Sequence, residues 1–276
     1  MVQMVNYWVA GEEFQRVIPA PEDELLAGVR WGQHWDAFTP AYWLAQYWMK
    51  GLDRVERSPH HAKGDIVQEL VFCMLGGFGI SAELATATFH ACNEAGLIES
   101  RETSVDAWQR QLKEPILVSG KMVHYRYPNQ KARFLAESMQ HLSGCDLDYQ
   151  NGRCLRNDLL RIKGVGYKTA GWVARNFLDT DDVAILDIHL IRAGILSGIF
   201  HPAQKVEREY LGMEERYLQF CRALGVRPAV MDCLIWDQMR EYGKLALDSL
   251  AYKLGTPSIS QRKTNKVGQL LLELRH

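Results

Sequence analysis

The sequence has no C-x-x-C pair, no run of about 18 apolar residues and almost no net charge, and each absence removes a class of protein. Its six cysteines, Cys73, Cys92, Cys145, Cys154, Cys221 and Cys233, are scattered through apolar contexts. That scatter argues against a disulfide framework or a zinc site and predicts reduced core residues in a cytoplasmic protein. Without a long apolar run there is no transmembrane helix to expect. The opening MVQMVNYWVAGEEF, which lacks a basic region followed by an apolar stretch, does not read as a secretory signal. A formal net charge of −1 excludes attraction of the whole molecule to nucleic acid and leaves room only for a local basic face. Neither an internal repeat nor a low-complexity segment is found. The 276 residues, 47% hydrophobic and 24% charged, suffice for one large domain or two modest ones with a substantial core.

What is present is mostly helical patterning, so the expected fold class is mainly α, with a short strand or two near the N-terminus. Residues 1–62 are aromatic-rich, with Trp31, Trp35, Trp43 and Trp48 close together. They are expected to pack on the rest of the protein, a base-stacking surface being the sharper alternative. Thr39-Pro40 reads as an N-cap and first helical residue, and Gly51 closes the helix that follows. From Asp65 the spacing predicts a buried helix ending at Gly76-Gly77-Phe78-Gly79, then a helix capped by Ser81 and ended by Gly96. Further helices are expected near Ser104–Leu112, Asn129–His141, Arg156–Ile162, Thr169–Phe177, from Asp187, and at Val206–Phe220, Ala229–Glu241 and Gly243–Leu250. Residues 63–255 thus form the core, and 256–276 a polar linker and a last short helix.

The segment that carries chemistry is LLRIKGVGYKTA, residues 159–170, followed by VAILDIHLIR, residues 183–192. Two glycines spaced G-x-G between short helices make a tight turn whose amides converge at a helix N-terminus, a natural seat for a phosphate. Between Arg153 and Asn176 stand six basic residues, Arg153, Arg156, Arg161, Lys163, Lys168 and Arg175, against one acid, Asp158. The acid-free stretch from Lys121 to Arg133 adds Arg126 and Lys131. A neutral protein with its positive charge concentrated in this way is expected to present one nucleic-acid face. Taken singly, a G-x-G turn also serves helix–helix packing, and an aspartate before an apolar helix is most often an N-cap.

Together, the hairpin and an aspartate, Asp187, nineteen residues after Lys168 resemble the helix-hairpin-helix (HhH-GPD) DNA glycosylase superfamily. The likeness is greatest to its compact archaeal and bacterial 8-oxoguanine glycosylases with fused AP lyase activity. QELVFCMLGGFGISAE, YRYPNQKARFL and ALGVRPAVMDCLIWDQMREYG extend the resemblance over about residues 65–245. It implies a two-lobed helical fold with the active site between the lobes. It also implies double-stranded DNA with a flipped damaged base as partner, and a nucleoid-associated location in a prokaryote. Lys168 would then attack the sugar and form a Schiff base, assisted by Asp187. A free lysine has a pKa near ~10.4, and apolar neighbours such as Val165, Trp172 and Val173 are expected to lower it. Lys163, Gly164, Val165, Gly166, Thr169, His189, Arg126 and Lys131 would contact DNA. Phe78, Asp232 and Trp236 are the base-pocket candidates. The hairpin carbonyls leave room for a monovalent cation, K+ or Na+. No iron–sulfur cluster is expected, because the cysteines have the wrong spacing for one. Two readings compete with excision of 8-oxoguanine. One is the same chemistry on another modified base. The other is recruitment as a DNA- or partner-binding accessory, for example in bacterial antiphage defence.

Overall fold

A computed structural model describes residues 1–60, 64–77 and 79–256. Phe78 and the expected helix in the last ten residues lie outside them. Eleven α-helices and three two-stranded antiparallel sheets make up the described residues, so the fold is mainly α. None of these helices is long and apolar enough to cross a membrane. The chain divides into two compact units, one from His60 to Ile185, the other joining Met1–Pro59 to the chain from Leu186 onward.

The N-terminal part holds more strand than its composition suggests. β1 (Gln3–Val9) pairs with β2 (Glu12–Ile18), and β3 (Glu24–Leu26) with β4 (Val29–Arg30). In β1 burial alternates with period two, Gln3, Val5 and Tyr7 facing inward. The helix α1 (Pro40–Met49) begins as expected, with the Thr39 hydroxyl accepting from the Tyr42 amide at 3.1 Å. A single 3-10 turn, Leu52–Arg54, follows.

The His60–Ile185 unit starts with α2 (Ile66–Leu75), capped by Asp65, and α3 (Ala82–Glu94), capped by Ser81. Next comes α4 (Val105–Lys113), capped by Ser104. The apolar PILVSG stretch comes after it. It forms β5 (Ile116–Val118), which turns through Ser119-Gly120 into β6 (Lys121–Val123). The helix α5 (Pro128–Gly144) leads to α6 (Gly152–Leu159) and α7 (Tyr167–Leu178). Expected at Arg156–Ile162, α6 starts a full turn earlier, because the Asn151 side chain accepts from the Cys154 amide at 2.9 Å and opens the helix there. One apolar core runs through this unit, built on Leu70, Leu75, Trp108, Leu112, Leu135, Met139, Leu159 and Val173.

The chain then returns to the unit that holds the N-terminal strands as α8 (Ile188–Ser197), α9 (Val206–Leu224), α10 (Pro228–Glu241) and α11 (Gly243–Lys253). The N-terminal segment is hydrogen-bonded into these helices. The Trp43 indole donates to Ser197 Oγ at 3.1 Å, and the Tyr42 hydroxyl to Gln238 Oε1 at 2.8 Å. Packing accounts for the buried Trp31 and Trp43 and the half-buried Trp48, whereas Trp35 is 66% exposed with its ring against the edge of His34. Of the cysteines, four are buried as expected. Cys145 is exposed and Cys154 half-exposed, both lying in or beside the polar connection between α5 and α6.

Candidate active site

The hairpin is shaped by its neighbours as much as by its own glycines. Gly164 sits at φ +83°, in the left-handed region, and its Cα faces the Phe134 ring of α5 so closely that a Cβ would lie 2.4 Å from Cδ2. Two independent constraints therefore demand glycine at this position. Gly166 differs: its φ of −101° suits any residue, and a Cβ there would meet nothing within 4 Å. That open flank faces the start of α7, where Gly166 supplies no side-chain cap and no acid occupies the first turn. The amides of Tyr167, Lys168 and Thr169 precede the first intrahelical bond, from Ala170 back to the Gly166 carbonyl at 2.9 Å. Three donors and the positive end of a twelve-residue helix thus meet beside Gly166, whose own flank is open.

Lys168 is the second residue of this helix. It is half-buried, with Nζ 5.5 Å from the centre of the Trp172 ring one turn on. Trp172 belongs to an aromatic floor in which Phe72 meets both Trp172, at 5.9 Å, and Phe89, at 5.6 Å, edge to face. A Cβ on Gly76 would lie 3.1 Å from the Trp172 ring, so α2 ends in close contact with the floor. Two side chains hold that end. The buried Tyr125 hydroxyl donates to the Leu75 carbonyl at 2.7 Å, and the Lys131 ammonium donates to the carbonyls of Met74 and Gly76. Burial, and then the nearby charge of Lys168, push the Lys131 pKa below the ordinary lysine value.

Lys131, expected on DNA, is thus engaged in closing α2. Lys163 is exposed and forms an ion pair with Glu137 at 3.1 Å. Arg126 is exposed, its guanidinium over the Tyr127 ring at 5.2 Å. Val165 is buried, and its amide donates to the Ile162 carbonyl at 3.1 Å, while Thr169 is half-buried. The six basic residues of the hairpin region are not all surface charge: Arg156 and Arg175 are buried, and Arg161 pairs with Asp158 at 3.4 Å.

Beneath α7 lies a polar cluster that the sequence reading passed over. The buried Glu69 of α2 accepts from Asn176 Nδ2 at 2.6 Å and from the Cys73 thiol at 3.3 Å. Burial pushes the Glu69 carboxyl up, only partly offset by Asn176, Cys73 and the charge of Arg175. A raised folded-state value means that this group's contribution to stability is fully present below the ordinary carboxylate range. It is lost as pH rises through the folded value. Replacing Glu69 by Ala strands the Asn176 amide in the core and should cost about 2 kcal/mol, measured by urea unfolding. The i, i+4 spacing of Glu69 and Cys73 on a buried helix face is the sequence signal that could have found the cluster.

Asp187 belongs to the other unit. Its Oδ1 accepts from the amides of His189 and Leu190, both at 2.8 Å, so the carboxylate caps α8. Oδ2 makes no hydrogen bond among the described residues. The Tyr210 hydroxyl accepts from the Leu186 amide at 3.3 Å and steadies the approach to the cap. In the same unit half-buried His189 meets the edge of Trp236 at 6.3 Å, and the Arg240 guanidinium lies over the Trp236 ring at 4.4 Å. Asp232 is buried one turn before Trp236 on the same face of α10. Arg240, four residues after Trp236, is the member of this group that the sequence reading missed.

Three comparisons bear on this geometry. The Ogg-HhH family, described as 8-oxoguanine DNA glycosylase, matches residues 51–226. The 8-oxoguanine DNA glycosylase/AP lyase of Thermoplasma volcanium is 28% identical over 180 residues, 63% of this chain and 79% of that protein. The enzyme of the same name from Thermoplasma acidophilum is 27% identical over 184 residues, covering 63% and 80%. A crystal structure of the 8-oxoguanine DNA glycosylase of Thermotoga maritima superposes with a TM-score of 0.50 at 27% identity, over 63% of this chain and 79% of that one. With a match that spans well over half of its length and covers the hairpin, Lys168 and Asp187, the chain belongs to the Ogg-HhH family of 8-oxoguanine DNA glycosylases.

Proposed function

We propose that this protein is a bifunctional DNA glycosylase/AP lyase that excises 8-oxoguanine from double-stranded DNA. The observation that carries this reading is Lys168, held over Trp172 on the first turn of a helix whose N-terminus is open beside the hairpin. The donors at that N-terminus take a backbone phosphate and fix the strand, and they favour negative charge whatever the base. The target nucleotide leaves the stack, since its sugar carbon is out of reach inside a duplex.

The Lys168 amine attacks C1′ of the sugar. The N-glycosidic bond breaks, its electron pair leaves with the base, and a proton reaches the base nitrogen. Ring opening gives the Schiff base. Loss of a C2′ proton then expels the 3′ phosphate, and water releases the lysine. Asp187 stabilises the positive charge that develops on the sugar, and His189 contacts a phosphate. Trp236 and Asp232 receive the extruded base. The carbonyls of Lys163, Gly164 and Val165 are neutral oxygen donors that suit K+ or Na+, and such an ion would add positive charge where the phosphate sits.

The test is borohydride trapping on labelled duplexes that carry 8-oxoguanine, an abasic site or no lesion. An adduct on the first two alone supports the reading. An adduct on the abasic duplex alone moves the target to another base. No adduct with folded, DNA-bound protein favours the recruited accessory.

Asp187 separates its two roles by substitution. Asparagine keeps the cap, so Asp187→Asn should stay within about 0.5 kcal/mol of wild-type stability. Its single-turnover excision should fall on the order of a hundredfold. Asp187→Ala loses the cap as well and should cost about 1 kcal/mol by chemical denaturation.

A further inference from the structure

The β5–β6 hairpin is the one sheet of the His60–Ile185 unit among the described residues, and neither the catalytic chemistry nor the helical hairpin uses it. Its turn, Ser119-Gly120, has φ of +49° and +78°, the two-residue geometry that matches strand twist and makes a stiff hairpin. Ile116, Val118 and Val123 face inward. On the opposite face Leu117 and Met122 stand directly across from each other, 65% and 61% exposed. A cross-strand pair of large apolar side chains held in water on a stiff hairpin invites a partner.

The surroundings say which partner. Lys113, Lys121, His124 and Arg126 are exposed neighbours of the pair along the chain, Lys121 standing across from Val118 beside the turn, with Glu114 as the one acid between residues 113 and 133. Position agrees with charge. β6 runs directly into Tyr125, whose hydroxyl holds the end of α2 that packs on the Trp172 floor under Lys168. Met122 is three residues from that anchor, at most about 10 Å of extended chain. His124 Nδ1 approaches the Lys113 carbonyl at 3.4 Å and ties the base of the hairpin to α4. The apolar pair is therefore carried on a mount whose base continues into the residue that holds the end of α2, within a run of basic residues.

We propose that the β5–β6 hairpin is a DNA arm: Leu117 and Met122 press on the sugar and base edges of the minor groove beside the extruded nucleotide, and Lys121 takes a flanking phosphate. Apolar side chains of this kind are the ones that protein surfaces insert at destacked base steps, and a flipped nucleotide leaves one such step. The inference rests on the glycosylase reading above and extends it to how the duplex is held.

The probe is a duplex with a tetrahydrofuran abasic analogue, which binds without being cut. Its dissociation constant is measured at several salt concentrations for wild type, for L117S/M122S and for K121Q, with thermal melting to verify that each is folded. The paired serine variant should bind about tenfold more weakly with an unchanged salt slope, because it removes apolar contact and no charge. Lys121→Gln should lower the magnitude of that slope by about 1, the loss of one phosphate contact. If wild type binds and traps abasic DNA while both variants match its affinity and slope, the arm is overturned and the glycosylase reading stands. A wild type that neither binds nor traps overturns both.

Discussion

Lys168→Gln should abolish borohydride-trapped adduct and strand scission, a loss of at least about a thousandfold, while affinity for a duplex with an abasic analogue stays within about threefold of wild type. The asymmetry follows from where the side chain stands. The donors proposed to take the phosphate at the start of α7 are backbone amides, which the substitution leaves in place. Lys168 is half-buried over an aromatic ring rather than bound into a structural network, and glutamine fills much the same volume over Trp172. What glutamine lacks is a nucleophilic amine, so covalent chemistry disappears and the grip remains. Single-turnover cleavage and filter binding on the same preparation separate the two. A variant that binds as wild type does and still nicks abasic DNA would remove Lys168 from the mechanism.

The second large effect is structural. Gly164→Val should destabilise the protein by about 3 kcal/mol in urea unfolding and weaken duplex binding on the order of tenfold in whatever fraction remains folded. A β-branched residue at φ +83° is strained before any contact is considered. Its Cβ would also overlap the Phe134 ring, which is part of α5 and cannot move without shifting the packed helix. The turn would yield instead, and the amides it aims would lose their alignment. Gly166→Ala is the informative contrast, since its φ is ordinary and its flank is empty. Stability should change by less than about 0.5 kcal/mol, and a methyl group would stand where the phosphate approaches. Loss of affinity without loss of stability is the expected signature.

How much of this was legible in the sequence depends on whether the cause is local. The caps at Thr39, Ser81 and Asp187 operate as read, and Asp65 and Ser104, read only as the starts of their helices, cap them in the same way, because a short polar side chain reaches an amide two or three residues away. The hairpin was legible because a glycine turn ahead of a helix is a local device too, whereas Lys168 was singled out by the family resemblance. The three-residue strands β5 and β6 were not, since so short a run carries too little alternation to separate it from a loop. Tyr125, fifty residues from the carbonyl it holds, left no pattern at all. The charge count around the hairpin overstated the surface, because a count cannot distinguish the buried Arg156 and Arg175 from the exposed Lys163. Asp232 and Trp236 were found as residues, but the guanidinium over the indole was not, although Arg240 lies one helical turn away.

The bare start of α7 also bears on how a scarce lesion is located. A grip made of amides and a helix dipole reads no base letters, so every nucleotide of an intact duplex offers it the same phosphate. Contacts of that kind let a protein slide along a contour and sample each step in turn, at a rate that salt controls. Discrimination is then deferred to the moment of extrusion, when a base must leave its stack and fit a pocket. If the hairpin takes the phosphate as proposed, the empty flank of Gly166 would let it run along the backbone rather than clamp it, with no side chain of its own in the way.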